Sequence, residues 1–496
     1  MAFVQNFPFF SIILALSGGV ICSVLKGKHA RNYCLFVLSC ILVMTCMTFM
    51  FVYTTGEPYV YMMGHFSAPW GNEIRVGVLE CLMAIVFLVV LILSLVGGRQ
   101  YIEKDVEESK YNLYFTVISL LASSLLALVY TNDLFTGYVF VEINTMGSCA
   151  LVMVRYRSGK ALVGTLRYLF MSLLGSGLFL LGICILYGVT GHLLMENIAV
   201  AVQNLIATGM YQFPLAVVVG LFSMGLAIKS ACFPFHTWLP NAYENATIAT
   251  SSISSGLVLK GYVFFLIKIF YRMFDMSMLF EAKAVDVLFV FGVCAMLYGS
   301  YKAMKEQDIK RMLAYSSVAQ MGYIYLGIGL GSELGIAAAI IQVIVHAVTK
   351  PMLFTAAGGL MDVSNHSKKF KDLKGAGLRD KVSGIAFVIG SLSMIGIPFF
   401  AGFVSKVYLS FAAIDQMNLK MIVSLIVLAI STLLNACYYI PAIYTLYTKN
   451  ENNNQKAHYS KVYGITVLIF IGLNFFVGMN SSTVMDLIHQ GLMMFR

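Results

Sequence analysis

Charge is what this sequence has least of. Asp, Glu, Lys and Arg make up 11% of its 496 residues and hydrophobic side chains 59%, whereas a soluble domain has roughly a quarter of its residues charged. A water-facing globular fold of this length is therefore excluded. Clustered cysteine is lacking too. Cys22, Cys34, Cys40, Cys46, Cys81, Cys149, Cys184, Cys232, Cys294 and Cys437 lie apart with no C-x-x-C spacing, which argues against iron–sulfur clusters, structural zinc and a disulfide framework. The eight histidines are too dispersed to ligate haem in pairs, and only His346 sits deep in an apolar run. Neither a G-x-x-x-x-G-K-S/T loop nor a dinucleotide fingerprint occurs, so nucleotide hydrolysis and NAD binding fall away. No cofactor, no metal and no catalytic residue is expected. Energy for any work has to come from an ion gradient or from partner subunits.

Long apolar runs are what the chain has instead. Windows of about 20 residues give fourteen spans, near 7–25, 33–52, 74–97, 112–130, 134–154, 165–188, 213–235, 247–271, 284–302, 311–331, 334–361, 383–410, 420–447 and 463–486. Runs of this length exclude barrel strands, which are half as long and alternate, so the expected fold class is an all-α membrane protein of about 14 transmembrane helices. The first run starts near Phe7 with no basic residue before Lys26 and reads as a true first span rather than a cleaved signal.

Lys and Arg set the orientation. With the N-terminus outside, 23 of the 33 fall in cytoplasmic loops, Arg157 and Lys456 among them, and six fall outside, including Lys268 and Arg496. The remaining four lie within spans. Both termini are then expected outside, and the net charge of +10 is explained by membrane topology without a nucleic-acid partner.

Those four lysines, Lys229, Lys260, Lys350 and Lys406, share the apolar runs with Glu142 and His346. An ionisable group at bilayer depth costs roughly 2.5–3.5 kcal/mol on insertion scales and marks an ion or proton pathway by default. Several of the runs are also punctuated. The seventh breaks at Cys232-Phe233-Pro234-Phe235, after Lys229, and the twelfth at Gly396-Ile397-Pro398, ahead of Lys406. Proline removes a backbone donor, so both helices should be discontinuous, and a third break is expected at Lys350-Pro351. Interrupted helices in matching positions of two halves point to inverted repeats. The expected organisation is three accessory helices in 1–110, one five-helix repeat in 111–272 (helices 4–8), a second in 283–448 (helices 9–13), and a last helix in 462–496. In the eighth span Ser252, Gly256 and Lys260 line one face, and His346 and Lys350, four apart, share a face of the eleventh.

With these residues in hand, the sequence resembles a known family. Gln307-Asp308-Ile309-Lys310-Arg311-Met312-Leu313-Ala314-Tyr315-Ser316-Ser317, Phe235-His236-Thr237-Trp238-Leu239-Pro240, His346-Ala347-Val348-Thr349-Lys350 and Gly396-Ile397-Pro398 followed by Lys406 occur in the order seen in antiporter-like subunits. Such subunits are shared by respiratory complex I, Mrp cation/proton antiporters and energy-converting membrane hydrogenases, and the chain is most similar to the D-type Mrp and hydrogenase-associated members. The resemblance implies a proton relay through Glu142, Lys229, Lys260, His346, Lys350 and Lys406, and partners among other membrane subunits of such an assembly in a bacterial or archaeal cytoplasmic membrane. It leaves the driver open between Na+ exchange and redox chemistry in an NADH:quinone reductase or hydrogenase. Two departures stand out. Ala246-Thr247-Ile248-Ala249-Thr250-Ser251 replaces prolines early in the eighth span, and Gly77 replaces an acid near the start of the third.

Each candidate has a plainer reading. Glu142 and Lys229 could form only a structural ion pair, Lys406 could snorkel to the interface, Lys350 could cap a broken helix, and His346 could be a satisfied core histidine. Glu80, in the third span, is read as structural, and Asp308, Lys310 and Arg311 as fixing the cytoplasmic end of the tenth helix. Two alternatives to a proton-translocating subunit are a self-contained solute or cation transporter and a non-conducting scaffold.

Overall fold

A backbone in hydrocarbon must satisfy its polar groups within its own segment, and the apolar runs do so as helices. The computed structural model describes residues 3–66, 71–155, 158–274, 283–449 and 460–495; Arg157, Lys456 and Arg496 lie outside these. Eleven helices among the described residues are long and apolar enough to cross a membrane, from Phe3–Val24 to Lys461–Met479. Leu134–Met153 and Ile309–Gly329, of 20 and 21 residues, are long enough too but carry more polar side chains. The protein is an all-α membrane protein, and each apolar window falls on helix.

Burial sorts these helices. In Lys28–Thr55, Leu419–Tyr447 and Lys461–Met479 only 33% of the apolar window is covered by protein, whereas Ile248–Met273 and Glu333–Asp362 are 100% covered. The last two form the axis of the bundle and carry Lys260, His346 and Lys350. Phe9 stacks on Tyr61 at 5.6 Å and Arg75 donates to Met494 O at 2.7 Å, which puts both ends of the chain at one end of the bundle. At the other end the loop cations pair with acids: Arg31–Glu103 (2.8 Å), Lys104–Asp362 (2.8 Å) and Arg311–Glu244 (3.0 Å).

The seventh and twelfth helices are discontinuous as expected. Gln212–Lys229 stops, a single turn Phe235–Thr237 follows, and the chain resumes as Trp238–Asn245. Lys381–Ile395 ends at Gly396, whose φ of +95° suits glycine, and Ala401–Ile414 follows. The break expected at Lys350-Pro351 is absent. Glu333–Asp362 runs unbroken through Pro351 because its neighbours hold it. A Cβ on Gly256 would lie 2.4 Å from Pro351 Cγ, so the proline ring seats where only glycine leaves room. The irregularity sits in the neighbouring helix, as a π-turn at Ser254–Val258; such turns often accompany functional sites.

Other differences lie at the ends. The final span stops at Met479, and Ser481–Met493 is a separate helix folded back onto the third span, where a Cβ on Gly491 would meet Leu79 Cβ at 2.4 Å. A hairpin pairs Tyr59–Met62 with Glu73–Val76, and Met195–Ala207 forms a short connecting helix; both are too short for a 20-residue window to register. At Gly77 the missing acid is replaced in space. The Glu80 carboxylate accepts from Gly77 N at 3.1 Å and occupies the place a side chain at 77 would take.

Lys268, assigned above to the outer loops, is fully buried. It donates to Val129 O at 2.7 Å and lies 3.7 Å from Glu80, itself 1% exposed. The Leu259–Met273 helix stays covered to its last turn, so this lysine has no route to water. Arg272 continues the cluster by donating to Asn132, which donates to Glu73. Lys268→Met strands the Glu80 carboxylate, and breaking a buried pair costs about 3–5 kcal/mol. Thermal unfolding in detergent should show that loss, with Glu80→Gln added to Lys268→Met recovering most of it.

Glycines set the closest helix approach. Gly292 of Ala284–Lys305 faces Gly322 of Ile309–Gly329, Gly299 packs on Ala319 and Gly329 on Phe289, and a Cβ on Gly322 would stand 2.6 Å from Met296 N. Small residues let membrane helices pack backbone to backbone. In the same unfolding assay Gly322→Leu should destabilise by about 1–3 kcal/mol. Gly220→Leu, where nothing lies within 4 Å, should be neutral.

Candidate functional site

The site is built where helices end inside the bundle. Lys229 is the last residue of its half-helix, so its ammonium sits at the partially negative C-terminal end of the helix dipole. Its side chain is 0% exposed and bonds Glu142 Oε1 at 2.9 Å and Thr145 Oγ1 at 2.8 Å. Glu142 and Thr145 come from the Leu134–Met153 helix, which starts at Asp133 through a cap to Thr136 N at 2.6 Å. Ser176 also donates to Glu142, and Thr145 lies 3.0 Å from Tyr262 Oη, whose ring lies 5.7 Å below Lys229 Nζ. Two glycines bring the lysine this close. The Gly159–Thr190 and Gln212–Lys229 helices cross at Gly175 and Gly225, where a Cβ on Gly225 would be 2.7 Å from Gly175 O.

Lys260 reaches a backbone carbonyl freed by irregular winding. Its amine donates to Ser255 O within the π-turn. Ser255 Oγ lies 3.0 Å from Ser317 Oγ, which donates to Leu313 O at 2.9 Å. Lys350 donates to that same carbonyl at 3.0 Å and to Tyr439 Oη at 3.2 Å. Between Lys260 and Lys350 thus lie two peptide oxygens, Ser255 O and Leu313 O, and the hydroxyls of Ser255 and Ser317. The Ser255 carbonyl and hydroxyl are joined only through that residue's own covalent bonds.

Lys406 repeats the arrangement of Lys229 at the other broken helix. It donates at 2.5 Å to Ile395 O, the final carbonyl of Lys381–Ile395, and at 3.0 Å to Thr432 Oγ1. Gly396 admits it, since a Cβ there would lie 3.0 Å from Lys406 Nζ. The amine is held inside the bundle by these bonds, and the snorkelling alternative does not describe it.

His346 is buried, within electrostatic reach of Lys260 and Lys350, and neither ring nitrogen has a protein hydrogen-bond partner. No protein group among the described residues satisfies this histidine. Buried polar atoms without a protein partner are where internal water binds. Ser252, Ser254 and both amide atoms of Asn144 are in the same position.

The start of the eighth span shows how Thr replaces Pro. Thr247 caps the helix by accepting from Thr250 N at 3.1 Å, and Thr250 Oγ1 lies 3.3 Å from Tyr114 Oη. Lys310 donates to Ala246 O at 2.6 Å, Asp308 caps Lys310 N and Arg311 N, and Arg311 pairs with Glu244 and Glu306. These three fix the end of the tenth helix, as the sequence suggested.

Sequence reasoning missed the polar side chains between Lys350 and Lys406: the hydroxyls of Tyr439, Ser316, Tyr438 and Tyr323 and the carboxamide of Asn435, all buried. A faint signal was available in Ser316, which lies within one of the family motifs, and in the paired Tyr438-Tyr439 within an otherwise apolar span.

Known proteins share this fold and part of this sequence. The chain is 32% identical over 394 residues to NADH-quinone oxidoreductase subunit N of Desulforudis audaxviator, covering 79% of this chain and 76% of that protein. It is 29% identical over 414 residues to the D-type Na(+)/H(+) antiporter subunit of Alkalihalophilus pseudofirmus, covering 82% and 80%. Its fold superposes on a chain of an archaeal membrane-bound sulfane sulfur reductase with a TM-score of 0.88 at 24% identity, covering 99% of this chain and 97% of the other. A chain of the Mrp complex from a Dietzia species superposes with 0.86 at 21%, with the same coverage. Residues 131–435 match the profile described as "NADH:quinone oxidoreductase/Mrp antiporter, TM". With that match spanning Glu142, Lys229, Lys260, His346, Lys350 and Lys406, the chain belongs to the NADH:quinone oxidoreductase/Mrp antiporter transmembrane family.

Proposed function

We propose that this chain is a proton-translocating subunit of a multi-subunit complex in a bacterial or archaeal cytoplasmic membrane, with fourteen spans and both termini outside. Three accessory helices in 1–110 precede two inverted five-helix repeats, 111–272 and 283–448, and one helix follows in 462–496. The likeness between Lys229 at the end of one broken helix and Lys406 against the last carbonyl of the other supports the repeat. Both chain ends lying at one end of the bundle supports an even number of spans.

The observation that carries the reading is the row of lysine amines inside the bundle, Lys229 held by the Glu142 carboxylate and Lys260, Lys350 and Lys406 by backbone carbonyls. A desolvated amine holds its proton less tightly, and an adjacent carboxylate restores that hold. Opening the Glu142–Lys229 contact would push the proton from Lys229 toward Lys260; closing it would recharge the amine. The sequence of carriers then runs from Lys229 to Lys260 and, through water and His346 or Lys350, to Lys406. Partner subunits supply the driving force, either Na+ exchange or a redox reaction, and the chain itself carries no catalytic step.

Lys229→Ala and Glu142→Ala should each abolish driven proton transport by the assembled complex in vesicles while the subunit still copurifies with its partners. Unchanged pumping in both variants would refute the relay. Reconstitution separates the other readings. Proton flux from the isolated chain would point to a self-contained transporter, and no flux from chain or complex to a scaffold.

A further inference from the structure

Between Lys350 and Lys406 runs a file of polar side chains that no motif announces. Lys350 donates to Tyr439 Oη, which lies 2.9 Å from Ser316 Oγ. Tyr438 Oη sits between two acceptors, Ser316 Oγ at 2.9 Å and Asn435 Oδ1 at 2.7 Å. On the far side of Asn435, its amide nitrogen donates to Tyr323 Oη at 3.3 Å, and Tyr323 donates to Ser431 Oγ at 2.9 Å. Ser431 is next in sequence to Thr432, which accepts from Lys406, and Lys406 Nζ lies 5.4 Å over the Tyr323 ring. Asn435 also receives Ser300 Oγ at 3.3 Å and donates to Met394 O at 3.3 Å, so its orientation is fixed from two further helices.

The chemistry of the links differs. A hydroxyl accepts one proton as it gives up another, so a string of Tyr and Ser passes a proton without net change at any member. A carboxamide does not. Its oxygen accepts and its nitrogen donates, and transfer through it requires the unfavourable imidic-acid form. Asn435 is therefore the one member of the file that joins both sides by hydrogen bonds without conducting between them.

The geometry points to Asn435 as a proton insulator that separates Lys350 from Lys406, with Tyr439, Ser316 and Tyr438 as the conducting string on the Lys350 side. A proton leaving Lys350 for Tyr439 displaces the Tyr439 hydroxyl proton to Ser316, that of Ser316 to Tyr438 and that of Tyr438 onward. With Asn435 in place that last proton has no onward path, so the charge stays on Lys350. It passes to Lys406 only when Asn435 is displaced from between Tyr438 and Tyr323. An insulator at this point prevents a continuous wire from short-circuiting the gradient. The inference rests on the proton-relay reading above.

The test uses the whole complex in vesicles containing a pH dye, with passive proton flux read under an imposed potassium-diffusion potential. Asn435→Asp places a group that can take up and release a proton at the insulating position. It should raise passive flux several-fold, and Lys406→Ala added to Asn435→Asp should return it to the wild-type level. Tyr438→Phe keeps the ring and removes the hydroxyl; it should slow driven transport several-fold with passive flux unchanged, and it decides the matter if Asn435→Asp does not assemble. Assembled Asn435→Asp with wild-type passive flux, or Tyr438→Phe with wild-type driven transport, would overturn the inference. The relay reading itself stands or falls separately, on whether Lys406→Ala alone abolishes driven transport.

Discussion

An ammonium group removed from water needs acceptors close around it, and that requirement explains where this bundle departs from regular helix. A regular helix keeps its carbonyls for itself. Acceptors become free most readily where winding changes or a helix stops, and Lys229, Lys260 and Lys406 sit at such places. Lys350 instead shares Leu313 O, inside the regular Ile309–Gly329 helix, with Ser317. Lys229 occupies a helix end, Lys406 reaches the last carbonyl of another, and Lys260 bonds into a π-turn. The breaks are thus part of the charge site rather than defects beside it.

Close packing makes the arrangement possible. Gly175 against Gly225 draws the Lys229 helix toward Glu142, Gly256 accommodates the Pro351 ring, and Gly396 leaves space for the Lys406 amine. In each case a methyl group would collide with backbone, with a ring or with the lysine itself. Because lipid and side chains are equally apolar, packing of this kind supplies much of the attraction between membrane helices. The same contacts that stabilise the bundle therefore also place its charges.

The interior contains two ionic systems of different character. Lys268, Glu80, Arg272, Asn132 and Glu73 form a cluster, satisfied save for Arg272 Nε, that joins the third and eighth spans to the Tyr59–Met62 and Glu73–Val76 hairpin. The central row is less fully satisfied, with His346, Ser252, Ser254 and Asn144 lacking protein partners. A satisfied network is rigid, and one with open valences admits water and rearrangement. The proposed relay runs through the second system, and the first anchors the helices.

Much of this was legible in the sequence. Apolar run length located the helices, since hydrocarbon leaves a chain no other option, and the rarity of charge drew attention to Glu142, Lys229, Lys260, His346, Lys350 and Lys406. Proline and glycine marked the seventh and twelfth breaks because their backbone limits are local. Pro351 misled for the same reason: local propensity predicted a break, and Gly256 on another helix removed it. Lys268 misled because charge near a span end reads as loop until the covering helices are known. The file Tyr439, Ser316, Tyr438, Asn435, Tyr323 was illegible, since its members come from helices more than a hundred residues apart and look like ordinary packing residues in their own segments. Sequence by itself determined which groups are charged and which segments are buried, because both follow from transfer into lipid. Tertiary structure alone decided which acceptor each amine meets and in what order the hydroxyls touch, because hydrogen bonds depend on positions that only packed helices fix.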